Sequence, residues 1–405
     1  MAQLGTRDSG FLRSSDPDQH ASMSVGAVAV VDGRVPEYDL IKDLLAERIQ
    51  QSESDVTPHV QRLALPQPGD QHELFQTIAY VLERPLDPNL PLWECTIIEG
   101  LENHRWAVVM KVHQSIAEKL SPAHLIARLC DDADPNTYHV AGKRVSHSEA
   151  SSWIENLSSV VKAAARAFTG AADVLWPAAD SLPTMRRYRT VCFPRAAVER
   201  IAGKFGVTAD DVALAAVTEG FRTVLIRRGE QPRADSLRAL GPVVSYLPVE
   251  HDDPIRQLRA VRTEPSAACP TGYSPLTLCT KLFQVLAGTS ERGTVTLATD
   301  APGPRQPLQL MGQRLERLLP IPPSAPELST GVAVLSYGNE LVLGITADFA
   351  AAAELDQLVT GIELGMARLL ALSQDSVLLF DRRRKRPSRM VSGSAPSAPP
   401  ARARR

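Results

Sequence analysis

The stretch KVHQSIAEKLS, residues 111–121, sets a histidine, an amide, a carboxylate and an ammonium close together: His113, Gln114, Glu118 and Lys119. His113 ends an apolar run, as a reactive histidine at a strand end would. A base placed there removes the proton of a hydroxyl as it attacks an ester or thioester carbonyl, which is acyl-transfer chemistry. A second histidine at position 114 would suit that task, but Gln114 has no titratable nitrogen. The stretch therefore reads in three ways: an acyl-transfer site, an altered one, or an ordinary surface loop.

The elements that must position these residues follow from periodicity. MSVGAVAVVDG (23–33) is β-branched and ends in a turn dipeptide, which predicts a buried strand. YDLIKDLLAERIQQ (38–51) puts Leu40, Ile41, Leu44, Leu45 and Ile49 on one helical stripe. HELFQTIAYVLERPL (72–86) repeats the pattern until Pro85 stops it. PLWECTIIEG (91–100) and HRWAVVMKVH (104–113) read as two strands joined by a short polar turn, followed by the quoted loop and a helix, PAHLIARLCDD (122–132). The span 151–180 is amphipathic, and a proline-containing connector runs over 171–185. Beyond it come a strand (187–194), a helix (196–205) and a second helix (209–229) with Thr208 as its N-cap. A hairpin over 332–348 turns at Gly338-Asn339, and a last amphipathic helix covers 354–372.

Length and composition bound the rest. With 405 residues, two domains are expected. We divide the chain into an N-terminal domain (1–170), a linker (171–185), a C-terminal domain (186–380) and a disordered tail (381–405). The net charge of -2 hides an asymmetry: residues 381–405 hold nine basic side chains and one acid, so the body is acidic. That argues against nucleic-acid binding by the body. The tail suits docking on an anionic membrane or lipid droplet as well as it suits simple solubilisation. Five cysteines, at 95, 130, 192, 269 and 279, form no metal-ligand or disulfide pattern. With no apolar signal core and no span-length apolar run, a cytoplasmic protein, at most peripheral to a membrane, is expected.

Several stretches resemble one family: DSGFL (8–12), MSVGAVAV (23–30), RPLDPNLPLWE (84–94), KVHQSIAEKLS (111–121), TADDVALAAV (208–217), APGP (301–304) and LSYGNELVLGITAD (335–348). Together they are similar to the bacterial wax ester synthase/diacylglycerol acyltransferases of the actinobacterial kind, over most of residues 5–375. The resemblance implies an α/β architecture, the two-domain fold of CoA-dependent acyltransferases such as chloramphenicol acetyltransferase, with a cleft between the halves. It implies acyl-CoA as co-substrate, diacylglycerol or a long-chain alcohol as acceptor, and no cofactor or metal.

The family motif is H-H-x-x-x-D-G. His113 matches the first histidine, Gln114 the general base, Glu118 the aspartate and Lys119 the glycine, where lysine forfeits the ready positive φ of glycine. The family's Asn-Asp pair reads Asp210-Asp211, its Asn-Val-Pro-Gly-Pro reads Asp300 to Pro304, and RALGPVVSYLPVEHDDP (238–254) is shorter than in relatives. The resemblance makes Lys119, Asp300, Pro302 and Gly303 the substrate-binding candidates; a solvated lysine and a rigid turn are the plain alternatives. His113 has two readings, as a replacement for the missing base or as a structural histidine beneath the loop; the structural one is favoured, since neighbours on an extended strand face opposite sides. Trp93 and Glu94 are read as architectural. Two functions stand: an O-acyltransferase impaired by the loss of its base, and an inactive relative that binds lipid, acyl-CoA or a protein partner.

Overall fold

The computed structural model describes residues 24–49, 56–87, 90, 93–113, 122–132, 186–240, 246–261, 294–299, 304–324, 330–348 and 351–374. The connector, the amphipathic span 151–180 and the basic tail lie outside these residues.

Two sheets carry the fold. The first has six strands in the order β2-β3-β4-β1-β9-β8. They are β1 (Ser24–Asp32), β2 (Val60–Ala64), β3 (Trp93–Leu101), β4 (Arg105–His113), β8 (Gln309–Leu310) and β9 (Gln313–Ser324). The second has five, in the order β5-β11-β10-β7-β6. These are β5 (Arg187–Pro194), β6 (Arg238–Leu240), β7 (Thr294–Thr299), β10 (Thr330–Tyr337) and β11 (Glu340–Ala347). The helices are α1 (Tyr38–Ile49), α2 (Gln71–Glu83), α3 (Pro122–Leu129), α4 (Arg195–Phe205), α5 (Ala209–Arg227), α6 (Pro254–Val261) and α7 (Leu355–Gln374). Sheets and helices thus mix in both halves, and the architecture is α/β as expected.

Local chemistry explains the boundaries. Asp70 opens α2 with a capping box: its carboxylate accepts from the His72 and Glu73 amides, and Glu73 accepts from the Asp70 amide. The helix stops at Glu83 because Arg84, preceding a proline, is extended. Thr208 caps α5 through the same reciprocal pair with Asp211. In α1 the expected stripe is narrower. Ile41 and Leu45 are buried against the first sheet, whereas Leu40 is 52% exposed. One residue of helix turns a side chain by about 100°, which carries Leu40 off the buried face.

The sheets are not segregated by halves of the chain. The second half sends β8 and β9 into the first sheet, where β9 runs antiparallel to β1, with Leu319 opposite Val28. No element is expected from the sequence over 313–324, and Pro320, Pro322 and Pro323 are residues that disfavour an interior strand. The strand is possible because, beyond its short ladder with β8 at Gln313 and Arg314, its second edge meets the other sheet, where the prolines forfeit no ladder bond. There the Pro320 carbonyl accepts a hydrogen bond from the Tyr188 hydroxyl at 2.8 Å. Tyr188 packs edge-on against Phe75 of α2, so β5, β9 and α2 close around one buried ring. Gly344 of β11 crosses the same carbonyl so closely that a methyl group at 344 would overlap the Pro320 oxygen. This contact fixes how the sheets join. Gly344→Ala is expected to cost about 3 kcal/mol, the upper part of the range for overpacking, because the methyl would meet rigid backbone. Urea unfolding monitored by circular dichroism checks this, and a loss under about 1 kcal/mol would contradict the close crossing.

Candidate active site

The candidate site is built outward from the end of β4. That strand is fully apolar on one side: Trp106, Val108, Met110 and Val112 enter the core beneath α1 and α3. Ala107 and Val109 enter the other core, shared with α2, β5 and β11. Alternation puts Lys111 and His113 on this second side. His113 pairs with Ser24 of β1, and Ser24 pairs in turn with Ser324 of β9. His113 is only 4% exposed and Ser24 is also buried. Cross-strand partners share a face, so the structure sets a serine hydroxyl beside the histidine, a neighbour that sequence reasoning did not identify.

Two residues before His113, a lysine is wholly buried. The Lys111 Nζ donates to the carbonyls of Val81 at 2.8 Å and Arg84 at 2.9 Å, and lies 3.4 Å from the Glu94 carboxylate. Three oxygens match the three donors of an ammonium. Two of them are carbonyls at the C-terminal end of α2, where a helix leaves acceptors unpaired and favours a cation. Burial lowers the Lys111 pKa, and the attraction of Glu94 offsets only part of that fall. Glu94 is the cross-strand partner of Lys111 and also accepts from the Thr96 hydroxyl at 3.3 Å. The same end of α2 meets the second half, since Glu83 accepts from the Arg186 amide at 2.6 Å. A charged residue inside the apolar run 106–112 was the available sequence signal for this anchor.

The chain beyond the quoted segment is tied down as well. Asp131, just after α3, accepts from the Gly312 amide at 2.7 Å and the Met311 amide at 3.3 Å, and its own amide donates to Gln309 at 2.7 Å. Met311 and Gly312 both have positive φ and form the tight β8–β9 turn that presents those amides. Residues 111 and 131 therefore bracket the motif with two anchors, one to α2 and one to a hairpin contributed by the second half.

Of the site residues expected from sequence, His113 is among the described residues; Gln114, Glu118, Lys119, Asp300, Pro302 and Gly303 lie outside them. Pro304, which follows, accepts from the Gly338 amide at the β10–β11 turn at 2.9 Å. Tyr337, beside that turn, donates to Leu315, and Leu315 pairs with Val31, at the end of β1 remote from Ser24. Asp211 is engaged in capping α5, and Asp210 stands exposed in its first turn. Cys95 and Cys130 are buried, and burial pushes both thiols up to about 12, so neither offers a thiolate near neutral pH. Among the described residues no group of histidine, cysteine and carboxylate side chains is arranged to hold a metal, and no helix is long and apolar enough to cross a membrane.

The anchor has a measurable consequence. Lys111→Met leaves the Glu94 carboxylate buried without its cation, and is expected to cost about 3–5 kcal/mol. Adding Glu94→Leu removes the stranded charge, so the double variant should be more stable than Lys111→Met alone. Chemical unfolding of the three proteins checks this; a double variant less stable than Lys111→Met would contradict the pairing.

Comparison with known proteins agrees with this architecture. Residues 45–189 match the model of the wax ester synthase/diacylglycerol acyltransferase catalytic domain, and residues 239–369 match that family's C-terminal domain. The chain is 52% identical over 447 aligned positions to "Putative diacyglycerol O-acyltransferase Rv3371" of Mycobacterium tuberculosis, with all of both chains covered. It is 36% identical to "Probable diacyglycerol O-acyltransferase tgs1" of the same organism, over 92% of this chain and 97% of that one. Among solved structures, the wax ester synthase/diacylglycerol acyltransferase of Marinobacter aquaeolei VT8 superposes with a TM-score of 0.63 at 20% identity, covering 91% of this chain and 99% of that one. That likeness speaks for the fold, and the closer sequence matches speak for descent: the chain belongs to the wax ester synthase/diacylglycerol acyltransferase family.

Proposed function

We propose that the protein is an acyl-CoA-dependent O-acyltransferase that esterifies diacylglycerol or a long-chain alcohol, and that it works slowly because Gln114 occupies the position of the general base. The observation that carries this reading is the motif itself: His113 retained, Gln114 and Lys119 in place of the motif's histidine and glycine, within a chain 52% identical to the protein named "Putative diacyglycerol O-acyltransferase Rv3371". Glutamine can hold a hydroxyl in place through a hydrogen bond but cannot take its proton. Losing a general base costs typically 10²–10⁴-fold, while holding the two substrates together still contributes to rate. In this reading Glu118 orients the segment, and Lys119, Asp300, Pro302 and Gly303 contact substrate. The run RRRKRPSR (382–389) would hold the enzyme at an anionic lipid surface, contributing about 1 kcal/mol per basic residue. Truncation after Asp381 should then abolish co-sedimentation with phosphatidylserine vesicles, and unchanged co-sedimentation would remove the tail from the account.

The deciving assay for chemistry is turnover of radiolabelled palmitoyl-CoA with diacylglycerol. Slow product formation above a buffer control is expected from the unaltered protein. Gln114→His, alone or with Lys119→Gly, should raise it about 10²-fold or more. Acyl-CoA binding with no product from any of these proteins would instead favour a non-catalytic lipid-binding role.

A further inference from the structure

Trp93 is the first residue of β3 and pairs with Val112, the residue before His113. Its side chain is 94% buried in the core beneath α1 and α3, being 6% exposed. Its indole Nε1–H has no hydrogen-bond partner among the described residues. Trp106, in the same core, differs in this respect: its Nε1 donates to the Gln313 side chain at 2.7 Å. A buried donor without an acceptor is unfavourable, and native structures retain few of them.

The indole is also held in place. The His59 ring stacks on it with centroids 4.4 Å apart and planes 13° from parallel. His59 Nδ1 lies 3.1 Å from the Trp93 carbonyl oxygen. A carbonyl only accepts, so Nδ1 carries the proton and donates. The 3₁₀ turn Thr57–His59 is thereby bound to the start of β3. An N–H fixed by a stacked ring, buried and without an acceptor among the described residues, one residue along the sheet from the end of β4, is a preorganised donor for a ligand oxygen.

We propose that the Trp93 Nε1–H donates a hydrogen bond to the carbonyl oxygen of a bound fatty acyl ester or thioester, with His59 as the positioning residue that fixes the indole plane. This rests on the proposed acyl-transfer reading and names the group that would recognise the acyl carbonyl. A carbonyl supplies the acceptor that the described residues do not offer the indole, and its alkyl chain suits the apolar character of Val25, Val112 and Ile126 in the same core.

The test compares two ligands that differ at that oxygen. Palmitoyl-CoA has the carbonyl; S-hexadecyl-CoA, a thioether, has a methylene in its place. Calorimetry on the full chain should show Trp93→Phe weakening palmitoyl-CoA about tenfold relative to S-hexadecyl-CoA, as expected for one lost hydrogen bond. Comparing the two ligands on one protein cancels general effects of the smaller ring. Diolein against its diether analogue repeats the comparison for the acceptor, and the pair that responds identifies which carbonyl is bound. Should the phenylalanine variant fail to fold, β-(3-benzothienyl)alanine at position 93 keeps the ring system and lacks the N–H. An unchanged ratio for both ligand pairs overturns the assignment and leaves the proposed function standing. Failure of the unaltered protein to bind any of the four ligands overturns both.

Discussion

A single ammonium, out of water and held by three oxygens, is the constraint on which the candidate site depends. Lys111 joins the end of α2 to β3 and β4, two residues before His113. Apolar packing excludes a one-residue slip of β4, which would flip its faces, but a two-residue slip would keep each side chain on its own face. A buried cation has no such freedom. Its desolvation is offset only where all three partners are met at once, which makes the arrangement nearly all-or-none. The same helix end also receives the Arg186 amide from the start of the second half. Where the motif begins is thus set by contacts that reach across the whole fold.

The second requirement is that both halves build the first sheet. Strand β9 lies against β1 on one side and meets the second sheet on the other, through the Tyr188 hydroxyl and the bare backbone of Gly344. The β8–β9 turn then reaches Asp131, on the far side of the motif. One strand from late in the chain consequently helps position both approaches to a segment encoded much earlier. Among the described residues the anchors lie at Lys111 and Asp131, on either side of the segment. The substitutions Gln114, Glu118 and Lys119 stand in a chain that keeps its family's fold.

Much of this was legible in the sequence where local chemistry decides structure. The hairpin of β10 and β11, the Thr208 cap and the arrest of α2 before Pro85 follow from turn, cap and proline rules and are found where expected. β9 was not legible: its prolines argue against a strand, and the long-range contacts that permit it leave no local trace. Leu40 shows the limit of a stripe drawn by eye, since hydrophobic character does not say on which side of a boundary a residue falls. The site divides similarly. His113 could be named from its place at the end of an apolar run. The stacking of His59 on Trp93, and the meeting of Lys111 with the end of α2, join residues distant in sequence that no spacing rule connects, whereas Lys111 and Glu94 face each other across the expected β3–β4 hairpin.

The central claim is that the scaffold persists while position 114 no longer supplies a proton acceptor. The most direct measurement is the single-turnover rate of acyl transfer from palmitoyl-CoA to diolein between pH of about 5 and 8, the range in which a histidine base titrates. The account predicts a slow rate with no histidine-like step across that range, and little change on His113→Ala provided the variant remains folded. A sigmoidal rise centred near pH of about 6.5 that disappears in His113→Ala would contradict it, and would make the buried His113 the base.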